Sequence, residues 1–348
     1  SSSAASDVYK RQDPASLRGE FVGLTGNRIA LAKGRRFVDV DLNRLWSYNG
    51  SGPAHAETTR EAVEVREQIA LQQAIVEVGK RAKGPVYIVD LHTTSGEGPG
   101  FTAIGDTLAN RRFASAIPVP LVLGLEELVD GTLLEFLDES GFVSTVFEIG
   151  QHQEDVAAER GVAGLLIALA QAGLLDASRD SRVHRARRYL AAETRDLPPV
   201  VEMRKRHPVL PDDGFRMAPG FRNFQPISDG QVLAHDQDGP IRAEGPARIL
   251  MPLYQELGED GFFVIREIKP FWLKVSSVLR RIGVCRLIPL LPGVRFRDTG
   301  RGVVEINKKV ARFYALQVFH LLGYRKRRED GEHLLMIRRG FDVGAPGY

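Results

Sequence analysis

The chain has 348 residues, 43% of them apolar and 26% charged, with a net charge of +3. These are ordinary globular values, and they exclude a collagenous, low-complexity or disordered chain. The one cysteine, Cys285, excludes a disulfide framework or a multi-cysteine metal site within the chain, and no apolar run reaches the ~18 residues that suggest a membrane-crossing helix.

Charge is unevenly spread. From Arg266 to the end there are eighteen Lys/Arg and seven Asp/Glu, a balance of +11 that leaves −8 for the rest. Such a basic part could meet nucleic acid or an anionic surface. A solvated helix face that offsets an acidic body is the favoured reading. The N-terminus lacks the apolar core of a signal peptide. With the lone thiol, this gives a cytoplasmic expectation.

In chain order, Ser1–Gln12 has no periodicity, and Asp7–Gln12 resembles a translated sequencing adapter. It is expected to be a cloning scar, with the natural N-terminus missing. Phe21–Leu31, around a Gly26-Asn27 turn, and Phe37–Leu42 alternate apolar and polar residues and predict short strands. Ser47–Ala54 reads as a polar loop. Glu57–Lys83 is strongly helical, with Ala62, Val65, Ile69 and Val76 on one face. Pro85–Leu91 is short, apolar and β-branched, which predicts a buried strand ending at His92. Pro118–Leu123 and Val143–Ile149 have the same character. Helices are expected around Thr132–Glu139 and over Val156–Ala172, the latter stopped by Gly173. Strands alternating with helices imply a layered α/β domain.

From about Pro198 short strand-like pieces follow: Gly230–Ala234, Gly239–Ala243, Ala247–Pro252 and Phe262–Ile265. Their rhythm resembles the hammerhead turns of biotinyl and lipoyl carrier modules. No lysine stands in the turn Asp236–Gly239, so a lid or docking role is expected rather than a carrier. Residues 270–348 add basic helical segments, notably Val303–Leu322, and a terminal strand-like piece, Leu334–Arg338. The division expected is 1–12 non-native, 13–195 catalytic, 196–268 small β domain and 269–348 basic extension.

Three segments carry the chemistry: Arg36-Phe-Val-Asp-Val-Asp-Leu-Asn43-Arg44, Asp90-Leu-His92-Thr-Thr-Ser and Phe147-Glu148-Ile-Gly150-Gln. Each lies at or beside a predicted strand end, where open α/β sheets bind ligands. A histidine just after a strand is well placed as a metal ligand, and Asp90, two residues earlier, could be its partner, which strand alternation alone does not decide. A glutamate ending an apolar strand is costly to bury unless it pairs or works. Arg36, Asn43 and Arg44 could form a donor cluster for an anion. Singly each signal is weak; their order is what makes them strong.

That order, G-N … R-x-x-D-x-D-L-N-R … D-L-H-x-T … E-x-G-x, resembles the succinylglutamate desuccinylase/aspartoacylase family of the zinc carboxypeptidase clan. The later P-G-F-x-N-F … L-M-P-L-Y … D-G-F-F stretch is similar to the C-terminal domain of its bacterial members. The resemblance spans roughly residues 20–270. It implies an α/β fold of zinc-carboxypeptidase type, a mixed sheet flanked by helices with a small C-terminal β domain. It implies one Zn2+ per intact chain, His92 as a zinc ligand, and Glu148 as the general base on zinc-bound water. Arg36 would stabilise the oxyanion, and Asn43 and Arg44 would hold a substrate carboxylate. The substrate would be a small anionic N-acyl compound, with no membrane partner, nucleic acid disfavoured and a homo-oligomer left open.

The sequence departs from the family in two places. The first zinc motif, H-x-x-E, supplies the other two ligands, and none of the eight histidines has Glu at the third position after it. His152-Gln-Glu-Asp155 is the nearest imitation, in the wrong order, and is expected to begin a helix. The chain is therefore expected to be inactive or nearly so. Leu133–Ser140 also lacks the arginine and tyrosine that aspartoacylases use for a second carboxylate, which puts N-acetylaspartate in doubt. Tyr254 could reach the site, or pack as an ordinary strand aromatic. Two alternatives remain: a peptidase of the same clan, or a non-catalytic binding protein on a degenerate hydrolase scaffold.

Overall fold

The computed structural model describes residues 17–46, 61–210, 212–284, 288, 291–298, 302–311, 320–330 and 332–338. The expectations for Ser1–Gln12, the loop Ser47–Ala54 and Cys285 lie outside these residues. The fold is mixed α/β. Among the described residues one sheet has eight strands, in the order β1 (Tyr87–Thr94), β4 (Val143–Gln151), β2 (Phe101–Ala103), β3 (Leu121–Leu123), β5 (Val200–Pro208), β11 (Asp260–Glu267), β10 (Ala247–Leu250), β7 (Pro226–Ile227). The β1–β4, β2–β3 and β3–β5 pairs are parallel, and the others are antiparallel. The 196–268 segment thus gives four strands to the large sheet. It gives three more, β6 (Arg216–Met217), β8 (Val232–Asp236) and β9 (Gly239–Arg242), to a small sheet. One core of Phe101, Val122, Val146, Val201, Phe224 and Phe263 runs across both parts.

Helices cover both faces. α5 (Ala157–Gln171) and α6 (Ser181–Thr194) bury Ile167, Val183 and Leu190 against Phe147 and Ile149. On the other face α2 (Val63–Arg81) and α4 (Leu133–Glu139) pack Ile75, Phe136 and Leu137 around Trp46 and Ile88. Strand side chains alternate between faces. In β1, Val89 and Leu91 therefore join the α5–α6 side, while Asp90 and His92 share the face of Ile88. α4 starts where Thr132 caps the Glu135 amide, and α5 stops before Gly173, at φ +79°.

Four expectations change. Phe21–Leu31 forms no strand; it holds a short helix, α1 (Arg28–Ala32), after Asn27 at φ 44°. Phe37–Leu42 is not a strand either. The amides of Val38, Asp39 and Val40 donate to the buried Glu64 carboxylate at 2.6, 3.2 and 3.4 Å, so they cannot form a ladder. β1 is half-buried rather than buried, because it ends the sheet order among the described residues. Finally, Val303–Leu322 begins as a strand. β13 (Val303–Asn307) pairs with β12 (Val294–Asp298) and β15 (His333–Arg338), with β14 (Tyr324–Asp330) beyond, around Val304, Ile306, Tyr324 and Met336. The 3.6-residue spacing of that basic stretch coexists with a period of two in its first five residues, where Val304 and Ile306 point inward and sheet pairing decides.

Gly164 of α5 lies so close to the Phe147 ring that an added Cβ would overlap it. Helix propensity alone would make Gly164→Ala stabilising by about 1 kcal/mol. Overpacking costs about 1–3 kcal/mol, and Phe147 is fully buried and cannot step aside. Chemical denaturation of Gly164→Ala should therefore show a net loss of stability; a gain would refute this packing.

Candidate active site

The site begins with register. β1 and β4 run parallel, with His92 opposite Glu148. Facing residues of adjacent strands are close neighbours, so pairing alone places imidazole beside carboxyl. Asp90, on the same face, holds His92 Nε2 through Oδ2 at 2.8 Å. That leaves Nδ1 as the ring nitrogen available to an outside partner. Glu148 Oε2 is buried without a hydrogen-bond partner. Burial pushes the Glu148 carboxyl above its ordinary range; His92 opposes this and Asp90 adds to it. Asp90 drives the His92 imidazole up to about 9 against its burial, with Glu148 adding in the same direction.

The first segment arrives as a loop. Glu64, fully buried in the first turn of α2, gathers three successive amides and sits 3.4 Å from Asn27 Nδ2. Glu67, one turn on, accepts from the Arg28 amide at 2.9 Å and from its guanidinium at 3.1 Å. These two carboxylates fix the loop that carries Arg36. Sequence reading passed over them, because carboxylates one turn apart near the start of a helix read as solvated; the inward-facing loop amides explain them. Arg36 donates to Asp41 Oδ2 from Nε at 3.1 Å and from Nη2 at 2.9 Å. Burial pushes the Asp41 carboxyl up, but Arg36 and Arg44 together hold it below the usual range.

Asp41 also caps the Asn43 amide at 2.9 Å, opening a single 3-10 turn, Leu42–Arg44. Asn43 Oδ1 accepts the Leu133 amide at 2.8 Å, so Asn43 caps α4 and keeps only Nδ2 for a ligand. Arg44 donates to the Asn43 carbonyl at 2.8 Å and to Asp260 Oδ2 at 2.6 Å, while Arg206 holds the other Asp260 oxygen at 2.5 Å. Gly131, at φ +70°, backs directly onto the Arg44 carbonyl, where a Cβ would not fit.

All five residues expected from sequence, Arg36, Asn43, Arg44, His92 and Glu148, line one cavity of about 110 Å³. Thr93, Ser95, Thr132, Gln255 and Asp260 join them, with Leu125, Val129, Met251, Leu253 and Phe263 as the apolar wall. A larger groove of about 510 Å³ between α1 and α2 contains none of the five. Sequence reading missed Asp260 and Gln255, which reach the cavity from the β-rich segment. Asp260 stood in the D-G-F-F stretch, where only the pattern, not a pairing, was visible. Tyr254 is not in the cavity lining; its hydroxyl donates to the Ala218 carbonyl at 2.7 Å and accepts the Phe221 amide at 2.8 Å. His152 lies just before α5 with both ring nitrogens engaged, by Thr93 at 2.7 Å and Gln255 at 2.8 Å. Burial lowers its pKa, which suits a neutral ring that accepts from one partner and donates to the other.

The His92 shift fixes a sign. Its folded pKa of about 9 exceeds the ordinary 6.5. The stability it contributes is complete below about pH 6.5 and disappears as pH rises through about 9. NMR titration of the metal-free chain should show His92 titrating near 9, and Asp90→Asn should bring it down. A His92 pKa at or below the ordinary value would refute the pairing.

None of the curated protein sequences matches the chain. Three solved structures share the fold. The succinylglutamate desuccinylase/aspartoacylase of Rhodobacter sphaeroides has a TM-score of 0.55 at 18% identity, covering 77% of this chain and 81% of that one. The product-bound ectoine utilization protein EutE of Ruegeria pomeroyi has 0.54 at 17%, covering 76% and 80%. A succinylglutamate desuccinylase from Silicibacter sp. TM1040 has 0.51 at 15%, covering 76% and 79%. Residues 6–165, which hold every residue of the three sequence segments, match the model of the succinylglutamate desuccinylase/aspartoacylase catalytic domain, so this part of the chain is similar to that family.

Proposed function

We propose that this scaffold serves zinc-dependent removal of an acyl group from an N-acyl amino acid or a similar small amide, and that the chain itself is a poor catalyst. Members of that family are hydrolytic deacylases. The observation that carries the reading is the convergence of His92, Glu148, Arg36, Asn43 and Arg44 on one cavity. The single cysteine suits a reducing, cytoplasmic setting.

A catalytic zinc takes three protein ligands and keeps one position open. His92 offers one nitrogen, the sequence contains no H-x-x-E, and no three metal-binding side chains cluster among the described residues. The residues in hand do not make that site by themselves. What they do make is the organic half of a deacylase. Glu148 Oε2 takes a proton from water and returns it to the leaving amine. A carboxyl held above its usual range suits a proton shuttle working near neutral pH. The Arg36 guanidinium stays charged beside Asp41 and meets the developing oxyanion, a contribution of about 10²–10³ in rate. Asn43 Nδ2 and Arg44 hold the substrate carboxylate.

A second reading, a binding protein on a degenerate hydrolase scaffold, is favoured by the missing H-x-x-E alone. Both readings use Arg44 as the anion anchor. Calorimetric titration with N-acetylated amino acids should show binding that weakens at least about tenfold in Arg44→Ala, the loss of a charge-assisted pair. Binding indifferent to Arg44 would reject the assignment. Elemental analysis of the purified chain should give well under one zinc per chain, with turnover near background. A tightly held zinc together with N-acyl cleavage would overturn the claim that the chain is a poor catalyst.

A further inference from the structure

Helix α7 (Pro270–Arg281) starts the basic extension, with Lys269 as its N-cap. One face is fastened to the body. Ser276 Oγ donates to the Leu321 carbonyl at 2.7 Å, and buried Arg280 donates to the Asp106 carbonyl at 2.6 Å and its carboxylate at 2.7 Å. Leu273 and Leu279 pack into two separate cores. The opposite face is apolar and open: Phe271 is 63% exposed, Val278 56% and Ile282 68%. With Val275, these residues recur at helical spacing and form one stripe about 16 Å long. Trp272, half exposed, stacks edge-on against Phe271 at 5.5 Å, beside the stripe.

Soluble proteins seldom leave such a stripe uncovered without a use. The surrounding charge says what covers it. Exposed Lys269, Lys274 and Arg281 lie along the helix. Residues 268–297 contain seven Lys/Arg and no Asp or Glu. A second copy docked symmetrically would set these cations against each other. Nucleic acid would satisfy the cations but leave Phe271, Val278 and Ile282 without an apolar partner. An anionic phospholipid surface satisfies both, with acyl chains for the stripe and headgroups for the cations.

We infer that α7 is a membrane-surface anchor that beds Phe271, Trp272, Val278 and Ile282 into an anionic lipid interface. No helix among the described residues is long and apolar enough to cross a membrane. The helix lies on the bilayer, held at a fixed angle by its buried face. This departs from the expectation of no membrane partner. It does not depend on the catalytic reading.

The chain carries its own reporter. Of its two tryptophans, Trp46 is 2% exposed and Trp272 49%. The test is co-sedimentation with vesicles of phosphatidylcholine, alone or with about one-third phosphatidylglycerol, read together with tryptophan emission. The wild-type chain should sediment with the anionic vesicles, less so as salt rises, and its emission should shift to the blue. Phe271→Ser/Ile282→Ser and Lys274→Glu/Arg281→Glu should each reduce partitioning by at least about tenfold with unchanged circular dichroism. The substituted side chains are exposed, so the fold should not depend on them. Absence of anionic-vesicle binding would overturn the proposal. So would wild-type self-association abolished by the serine pair, or retention on DNA, in place of vesicle binding.

Discussion

The parallel register of β1 and β4 is the constraint on which the site rests. It sets His92 against Glu148 without help from any loop. A slip of one residue would turn both side chains to the other face of the sheet. Packing specifies the register. Phe147 and Ile149 are buried against α5 and α6, so Glu148, between them, must face the opposite way, into the cavity. Its position beside His92, Asp90 and Arg36 then follows, and with it the upward shifts of His92, driven by Asp90, and of Glu148, driven by burial.

The other half of the cavity is held in place by three carboxylates. Glu64 fixes the Arg36 loop, Asp41 ties Arg36 to the turn at Asn43, and Asp260 clamps Arg44. Removing Glu64 or Asp260 would leave half-buried donors of the loop and of Arg44 without these partners, which costs more than the net worth of the bond. Asp260 also ties the Arg44 turn to the β-rich segment, whose strand β5 pairs with β3 within the same sheet. The cavity is therefore closed by two stretches of chain more than two hundred residues apart in sequence, and the Arg44–Asp260 pair joins them across 216 positions.

Much of this was legible in sequence. A strand at Pro85–Leu91, overlapping the observed Tyr87–Thr94, and the helices α2, α4 and α5 stood out from periodicity, and ordered motifs singled out five residues that line one cavity. What stayed hidden has a common cause. Phe37–Leu42 alternates like a strand, but its amides are satisfied by Glu64, a partner no local pattern reveals. Asp260 and Gln255 enter by tertiary closure. Val303–Asn307 sits in a basic, helix-like stretch, and only cross-strand pairing with β12 and β15 made it a strand. Local propensity yields where long-range pairing supplies the backbone partners.

Whether the cavity is the ligand site can be asked through its apolar wall. Methyl NMR on a chain labelled at leucine, valine and methionine would follow Leu125, Val129, Met251 and Leu253 as an N-acetylated amino acid is added. Shifts should concentrate at these four, which lie in two segments, 125–129 and 251–253, far apart in sequence. Shifts centred on the groove between α1 and α2, or none at saturating ligand, would contradict this assignment.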